Sequence, residues 1–255
     1  MQNRIAGFDK HHNRYPLKSE TLTLRAHQLP QVKGLPLFSE MTAESLDNLL
    51  QAALLQRLPS GFVLLHEGDH ADFLHVLLEG LLEIFTEQSG VDWGISLVRP
   101  ISTFLPAAVV GDQVYLHSVR TLQESRVLLI PADRVRVLFE HDAAFARMVA
   151  RELSWSYRGL VKKLKGHLAR SSIERLANWI LTESQKSPSA ESVVLPFDRG
   201  TLASHIGTTR EHLSRSLAQL TDHGVRIRGR EVIIDRRELL EAFARPQQLI
   251  DDPEL

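Results

Sequence analysis

The sequence predicts an α+β fold: a roll of short β-strands, one long helix, then a compact pair of helices backed by a β-hairpin. Three observations predict it. Residues 57–131 read as short apolar runs broken by turn residues at regular intervals, which is the pattern of a small sandwich or roll. Residues 142–167 carry apolar side chains every three or four positions, the period of a long amphipathic helix. Residues 199–235 place a small residue, a glycine and a leucine where two short helices can cross steeply, followed by an alternating stretch that turns at Gly229.

The composition narrows the chemistry. At 255 residues the chain can form one large domain or two ordinary ones. It has no cysteine, which excludes disulfides, thiolate-held iron–sulfur clusters, cysteine nucleophiles and thiol redox switches. No apolar run approaches the roughly 20 residues that span a bilayer. Residues 1–24 are dotted with charge and histidine rather than forming a signal-peptide core, so the expected location is cytoplasmic, without a membrane partner. The net charge of −1 hides an asymmetry. Residues 31–140 hold 7 Lys/Arg against 14 Asp/Glu, and residues 141–245 hold 18 against 12. An acidic half followed by a basic half suits a sensor joined to a polyanion-binding module.

Residues 1–32 are polar and irregular and are read as an N-terminal arm. The β-roll domain is expected over 33–140. Its first helix starts at Thr42-Ala43-Glu44-Ser45 and carries Leu46, Leu49, Leu50 and Leu54 at helical spacing. Strands are expected at 62–65, 73–78, 81–85, 95–98 and 126–130, between turns at Gly61, Gly68-Asp69, Gly80, Gly90 and Gly111-Asp112. Asp142 is the expected N-cap of the long helix, assigned to 141–168, with Phe145, Val149, Leu153, Ser156, Leu160 and Leu164 as its seam. So long a seam needs a partner, either its own domain or a second copy of the chain. Ser171 and Glu174 match a capping box and open a final domain over 169–245, with a loop at 184–192 and a tail at 246–255.

The stretch that carries the function runs from Arg199 to Leu220. Ala203 is small where two helices would touch, Gly207 can take the positive φ of a tight turn, and Leu213 plugs the pair, with Leu202, Ile206, Leu217 and Leu220 as core. Thr208 or Thr209 can cap the second helix. That helix puts Arg210, Glu211, Ser214 and Arg215 on its outer N-terminal face, where a helix-turn-helix touches base edges. Arginine can pair with guanine, glutamate can accept from cytosine, and serine can meet a thymine or a phosphate. The hairpin beyond it reads as a wing whose Arg226, Arg228 and Arg230 can lie on DNA phosphates.

With these residues in hand, residues 33–245 resemble the family of the cyclic-AMP receptor protein and the fumarate–nitrate reduction regulator, CRP/FNR. The most specific likeness is Arg210-Glu211-His212-Leu213-Ser214-Arg215, similar to that family's recognition helix. Pro59-Ser60-Gly61, Gly68-Asp69, Ala71, Phe73-Leu74, Val76 and Gly80 resemble its first β-roll turns. The resemblance implies a cyclic-nucleotide-binding-like jelly roll, a homodimer paired through 142–167, and a transcription regulator that binds palindromic double-stranded DNA. It also implies a TGA-type half-site, such as TTGA or GTGA, and RNA polymerase as a partner. The departures concern the effector. Pro106-Ala107 stands where the family's cyclic-nucleotide cassette has Gly-Glu, and Tyr115-Leu116 where it has Arg-Ser, so a cyclic phosphate would lack its counter-charge.

Phe104, Leu105, Pro106, Tyr115, Leu116 and His117 are therefore read as an apolar effector pocket. Because some relatives are haem-based gas sensors, His117 or His75 is a candidate haem ligand. His11, His12, His66 and His70 match no closed tetrahedral metal site. Two other classes remain. His66-Glu67-Gly68-Asp69-His70 has the spacing of a zinc metallopeptidase, but that chemistry needs a helix and Gly68-Asp69 favours a turn. A purely dimeric interaction protein would use the long helix without touching DNA. No enzyme is expected.

Overall fold

The computed structural model describes residues 28–186, 190–195 and 197–252. Most of the expected arm, 1–27, and with it His11 and His12, lies outside the described residues. The remainder of the arm is helical: α1 (Gln28–Lys33) places Val32 fully in the core, so the first domain begins earlier than its composition implied.

The expected roll is two four-stranded sheets. Helix α2 (Ala43–Gln51) starts where Thr42 accepts from the Ser45 N–H. It stops two turns later, and Leu54, expected on its apolar face, instead opens β1 (Leu54–Leu58). Then come β2 (Val63–Leu65), β3 (Phe73–Glu79), β4 (Leu82–Gln88), β5 (Val91–Val98), β6 (Ser102–Phe104), a short α3 (Pro106–Val110), β7 (Ser118–Thr121) and β8 (Ser125–Pro131). One sheet runs β1-β8-β3-β6 and the other β2-β7-β4-β5, with the pairings between neighbours antiparallel. Leu74, Val76, Leu82, Val119, Val127 and Leu129 are wholly buried in the roll's core. Gly80 permits the corner after β3. Its φ is +101°, and a Cβ there would lie 2.2 Å from Ser125 Oγ.

Helix α4 (Ala132–His141) packs on the roll before the chain turns at Asp142. That carboxylate accepts from the Ala144 and Phe145 N–H groups and starts α5 (Ala143–Ala169), the long helix, within two residues of its expected span. Arg170 is extended, and Ser171 with Glu174 forms the complete capping box of α6 (Ser172–Ser184). The last domain adds β9 (Ser192–Val194), α7 (Arg199–Ile206), α8 (Arg210–Gln219), β10 (Val225–Arg228), β11 (Glu231–Ile234) and α9 (Arg237–Ala244). Its sheet, β10-β11-β9, has one more strand than the hairpin the sequence disclosed. The tail folds back as α10 (Gln248–Asp251), where Asp251 takes both guanidinium nitrogens of Arg170 at 2.5–2.6 Å. No helix among the described residues is long and apolar enough to cross a membrane.

Candidate nucleic-acid interface

Helices α7 and α8 are held by the predicted turn, plug and threonine cap, together with an aspartate cap that sequence reasoning did not name. Asp198 caps α7 by accepting from the Gly200 and Thr201 N–H groups. Gly207 ends it at φ +75°, and a Cβ there would stand 2.7 Å from the His167 ring. Only glycine suits that turn. Of the two threonines left open by the sequence, Thr209 is the cap: its hydroxyl accepts from the His212 N–H, while Thr208 gives its backbone N–H to Ala203. Leu213 is fully buried against Leu202, Ile206, Leu217 and Leu220. With that face turned inward, Arg210, Glu211, Ser214 and Arg215 are all exposed on the other.

The chemistry of that face is largely uncommitted. The Glu211 carboxyl is held below the usual carboxylate range by its own backbone N–H and then by the Thr209 hydroxyl, so it stays ionised as an acceptor. Ser214 donates to Arg210 O at 3.1 Å, which leaves its oxygen lone pairs outward. The wing is more committed than expected. Arg226 is exposed but clamps Asp235 through two nitrogens, and Arg230 turns back to donate twice to Leu195 O. Arg228 stands exposed at the hairpin tip, next to Gly229 at φ +63°. Arg175 was missed by sequence reasoning. From α6 it donates to Ile206 O, Gly207 O and Arg170 O, tying the helix-turn-helix corner to the end of the long helix. No pattern marks it, because a charged residue on a helix face ordinarily points to solvent.

The long seam divides in two. Phe145 and Val149 are buried in the core of their own roll and Leu153 packs against it, which corrects their assignment to a partner-facing seam. The roll claims the first turns of α5 because they run directly off α4. Beyond them Tyr157, Leu160, Val161, Leu164 and Leu168 form an exposed stripe, Leu160 at 57% and Leu164 at 59%, and Ser156 is exposed too. Spacings of three and four residues put that stripe on one face.

The expected effector pocket does not assemble as one cavity lining. Phe104 and Tyr115 are buried, with the Tyr115 hydroxyl on Phe73 O, and Pro106 is buried at the start of α3. Leu105 adopts φ +57° before it, and Leu116 is 75% exposed. His75 is fully buried, stacked on Phe104 at 5.2 Å and edge-on to Tyr115 at 6.2 Å, with neither ring nitrogen hydrogen-bonded. A haem-binding imidazole needs open space at one nitrogen and an acceptor at the other. His75 has neither and does not fit a haem, while His117 stands half-buried beside exposed Leu116. The His66–His70 motif is a turn around Gly68 at φ +85°, with Asp69 accepting from the His66 N–H, so its two imidazoles do not share a helix face.

Two family models match the chain: a cyclic nucleotide-binding domain over residues 55–142 and a Crp-like helix-turn-helix domain over residues 174–243. No curated protein matches by sequence. Among solved structures, a transcriptional regulator of the CRP/FNR family from Eubacterium rectale is similar at 15% identity and a TM-score of 0.69, over 83% of this chain and 99% of that one. FixK2 from Bradyrhizobium japonicum is similar at 18% identity and 0.66, over 75% and 96%. The c-di-GMP responsive global regulator CLP from Xanthomonas campestris is similar at 19% identity and 0.64, over 76% and 100%. These likenesses carry the fold, and the two matched domains in this order carry the family. The chain belongs to the CRP/FNR family of transcription regulators.

Proposed function

We propose that the chain acts as a homodimer on palindromic DNA, with α8 of each copy lying in a major groove and the two about 34 Å apart. Arg210, Glu211, Ser214 and Arg215 read base edges, Thr208 and Thr209 approach the backbone, and Arg228 meets a phosphate. Arg226 and Arg230 then serve chiefly to stiffen the wing. The observation that carries this reading is the exposed, charged N-terminal face of α8 beside a fully buried Leu213 plug. By resemblance the half-site is of the TGA type and RNA polymerase is the downstream partner.

The apolar stripe Tyr157–Leu168 supports pairing of two copies, since it lies on the one long helix and is left uncovered by its own domain. Residues 28–140 are then the sensor, 143–169 the dimer helix, and 171–245 the reader. The effector is not cyclic AMP in this reading: Pro106 is packed into α3 and the Tyr115 hydroxyl is spent on Phe73 O, so neither offers a phosphate a charge. Selection of bound duplexes from a random pool tests the assignment. A recovered palindrome with TGA-type halves, bound more weakly as salt rises, is the expected result. Recovery of no motif, with no salt dependence, would leave a dimeric interaction protein.

A further inference from the structure

The reader domain is tied to its own sensor beyond the chain connection at Arg170–Ser171. Leu81, just before β4, is buried in the reader's core cluster, and Leu97 and Leu122 of the roll pack against that cluster. At the centre of the contact, the Ser204 hydroxyl on α7 accepts from the Gly94 N–H and donates to Asp92 O at 2.9 Å. Lys163 of α5 reaches the same strand, giving its ammonium to Gly94 O and Ile95 O. Gly94 makes the approach achievable. A Cβ there would lie 3.2 and 3.3 Å from the backbone N and Cα of His205 and 2.9 Å from Glu83 Oε1. Glycine here therefore serves the contact between domains, and it also clears the Glu83 carboxylate on the neighbouring strand.

The same junction carries unsatisfied chemistry. Glu83 is wholly buried on β4, and although one oxygen takes Arg120 at 2.6–2.8 Å, Oε1 has no hydrogen-bond partner. His205 Nδ1 is likewise buried without a partner, and burial together with the nearby Lys163 pushes the imidazole down to about 3. Burial also pushes the Lys163 ammonium down to about 8. Buried polar atoms left unpaired are rare in permanent cores, because each loses its water and gains nothing in return. Two of them in one interdomain contact, beside a desolvated cation, leave that contact close to balance between closed and open.

We propose that the β4–β5 hairpin and α7 form a two-state catch between sensor and reader, with Gly94 as its seat, Ser204 as its latch, and Glu83 and His205 as built-in strain that keeps it from locking. This rests on the DNA-binding reading above and adds the means by which the roll controls α8: α7 is the helix next to it, so movement of the catch reorients the recognition helix.

The test uses the full chain and two substitutions that push oppositely. Gly94→Ala inserts a methyl group between β5 and α7 and opens the catch. His205→Leu removes an unpaired buried nitrogen and closes it. Ser204→Ala provides a second opener should the glycine variant misfold. Amide hydrogen exchange at 93–96 and 202–206 should speed up by about tenfold in the openers and slow in the closer. Affinity for the selected duplex should move in opposite senses in the two classes, by about threefold or more in each. If exchange shifts but duplex affinity stays put, or if both classes move affinity the same way, the catch is refuted. If the unsubstituted chain binds no duplex, the regulator reading fails instead, and exchange alone still reports whether the contact opens.

Discussion

His75 makes acid sensitivity a quantitative consequence of the roll's packing. Its ring is fully buried between Phe104 and Tyr115, and burial lowers its pKa from 6.5 to about 3. Because the folded value is depressed, the folded chain resists a proton that the unfolded chain accepts. The stability held above pH 6.5 is therefore lost as pH falls, and the loss continues towards pH 3. At pH 5.5 this one group removes about 1.4 kcal/mol relative to pH 7.5, a figure set by the unfolded value so long as the folded one lies well below 5.5. His75→Leu abolishes that term. It also removes two buried nitrogens without partners, which should add about 1–3 kcal/mol at every pH. Urea unfolding of both proteins at pH 7.5 and 5.5, at one fixed protein concentration, separates the two effects. The parent should lose about 1.4 kcal/mol more than the variant between these pH values. Equal losses would mean that His75 can reach a proton in the folded state, and the dry, closed roll would be wrong.

Three further outcomes concern the reader and the stripe. Arg215→Ala should weaken specific duplex binding by about 1–3 kcal/mol while leaving association of the chains intact, measured by anisotropy and by sedimentation. An unchanged affinity would mean that α8 is not the base-reading helix. Leu160→Glu with Leu164→Glu should convert sedimenting dimers to monomers, because two charges from each copy would be buried without partners across the stripe. Arg228→Ala should lower the salt slope of binding by about one without altering sequence preference, whereas Arg226→Ala should leave the slope nearly unchanged, its guanidinium being engaged by Asp235.

The elements most legible in the sequence are those specified by local chemistry. Asp142, Ser171 with Glu174, and Gly207 each act on backbone groups within a few residues, so their roles follow from chain order and the structure reproduces them. The plug at Leu213 follows from helical period in the same way. Strands β6, β7 and β9 were not legible, because each has only three or four residues and is defined by the strand it pairs with. Leu54 shows how close the choice can be: its spacing fits α2, yet pairing with Leu129 draws it into β1.

The sequence alone thus determined the order of modules, the starts of α2, α5, α6 and α8 and the composition of the reading face, because propensity, capping and period act over one or two turns. Only the tertiary structure decided which side chains are free to act. Phe145 and Val149 go to their own core and leave Leu160 and Leu164 exposed; Arg226 and Arg230 are engaged within the wing while Arg228 stands at its tip; Gly94 seats one domain against another. Apart from the Arg226–Asp235 pair, which closes across the hairpin, these depend on contacts between segments tens of residues apart, where the competing partners of a side chain are set by packing and desolvation rather than by its neighbours in the chain.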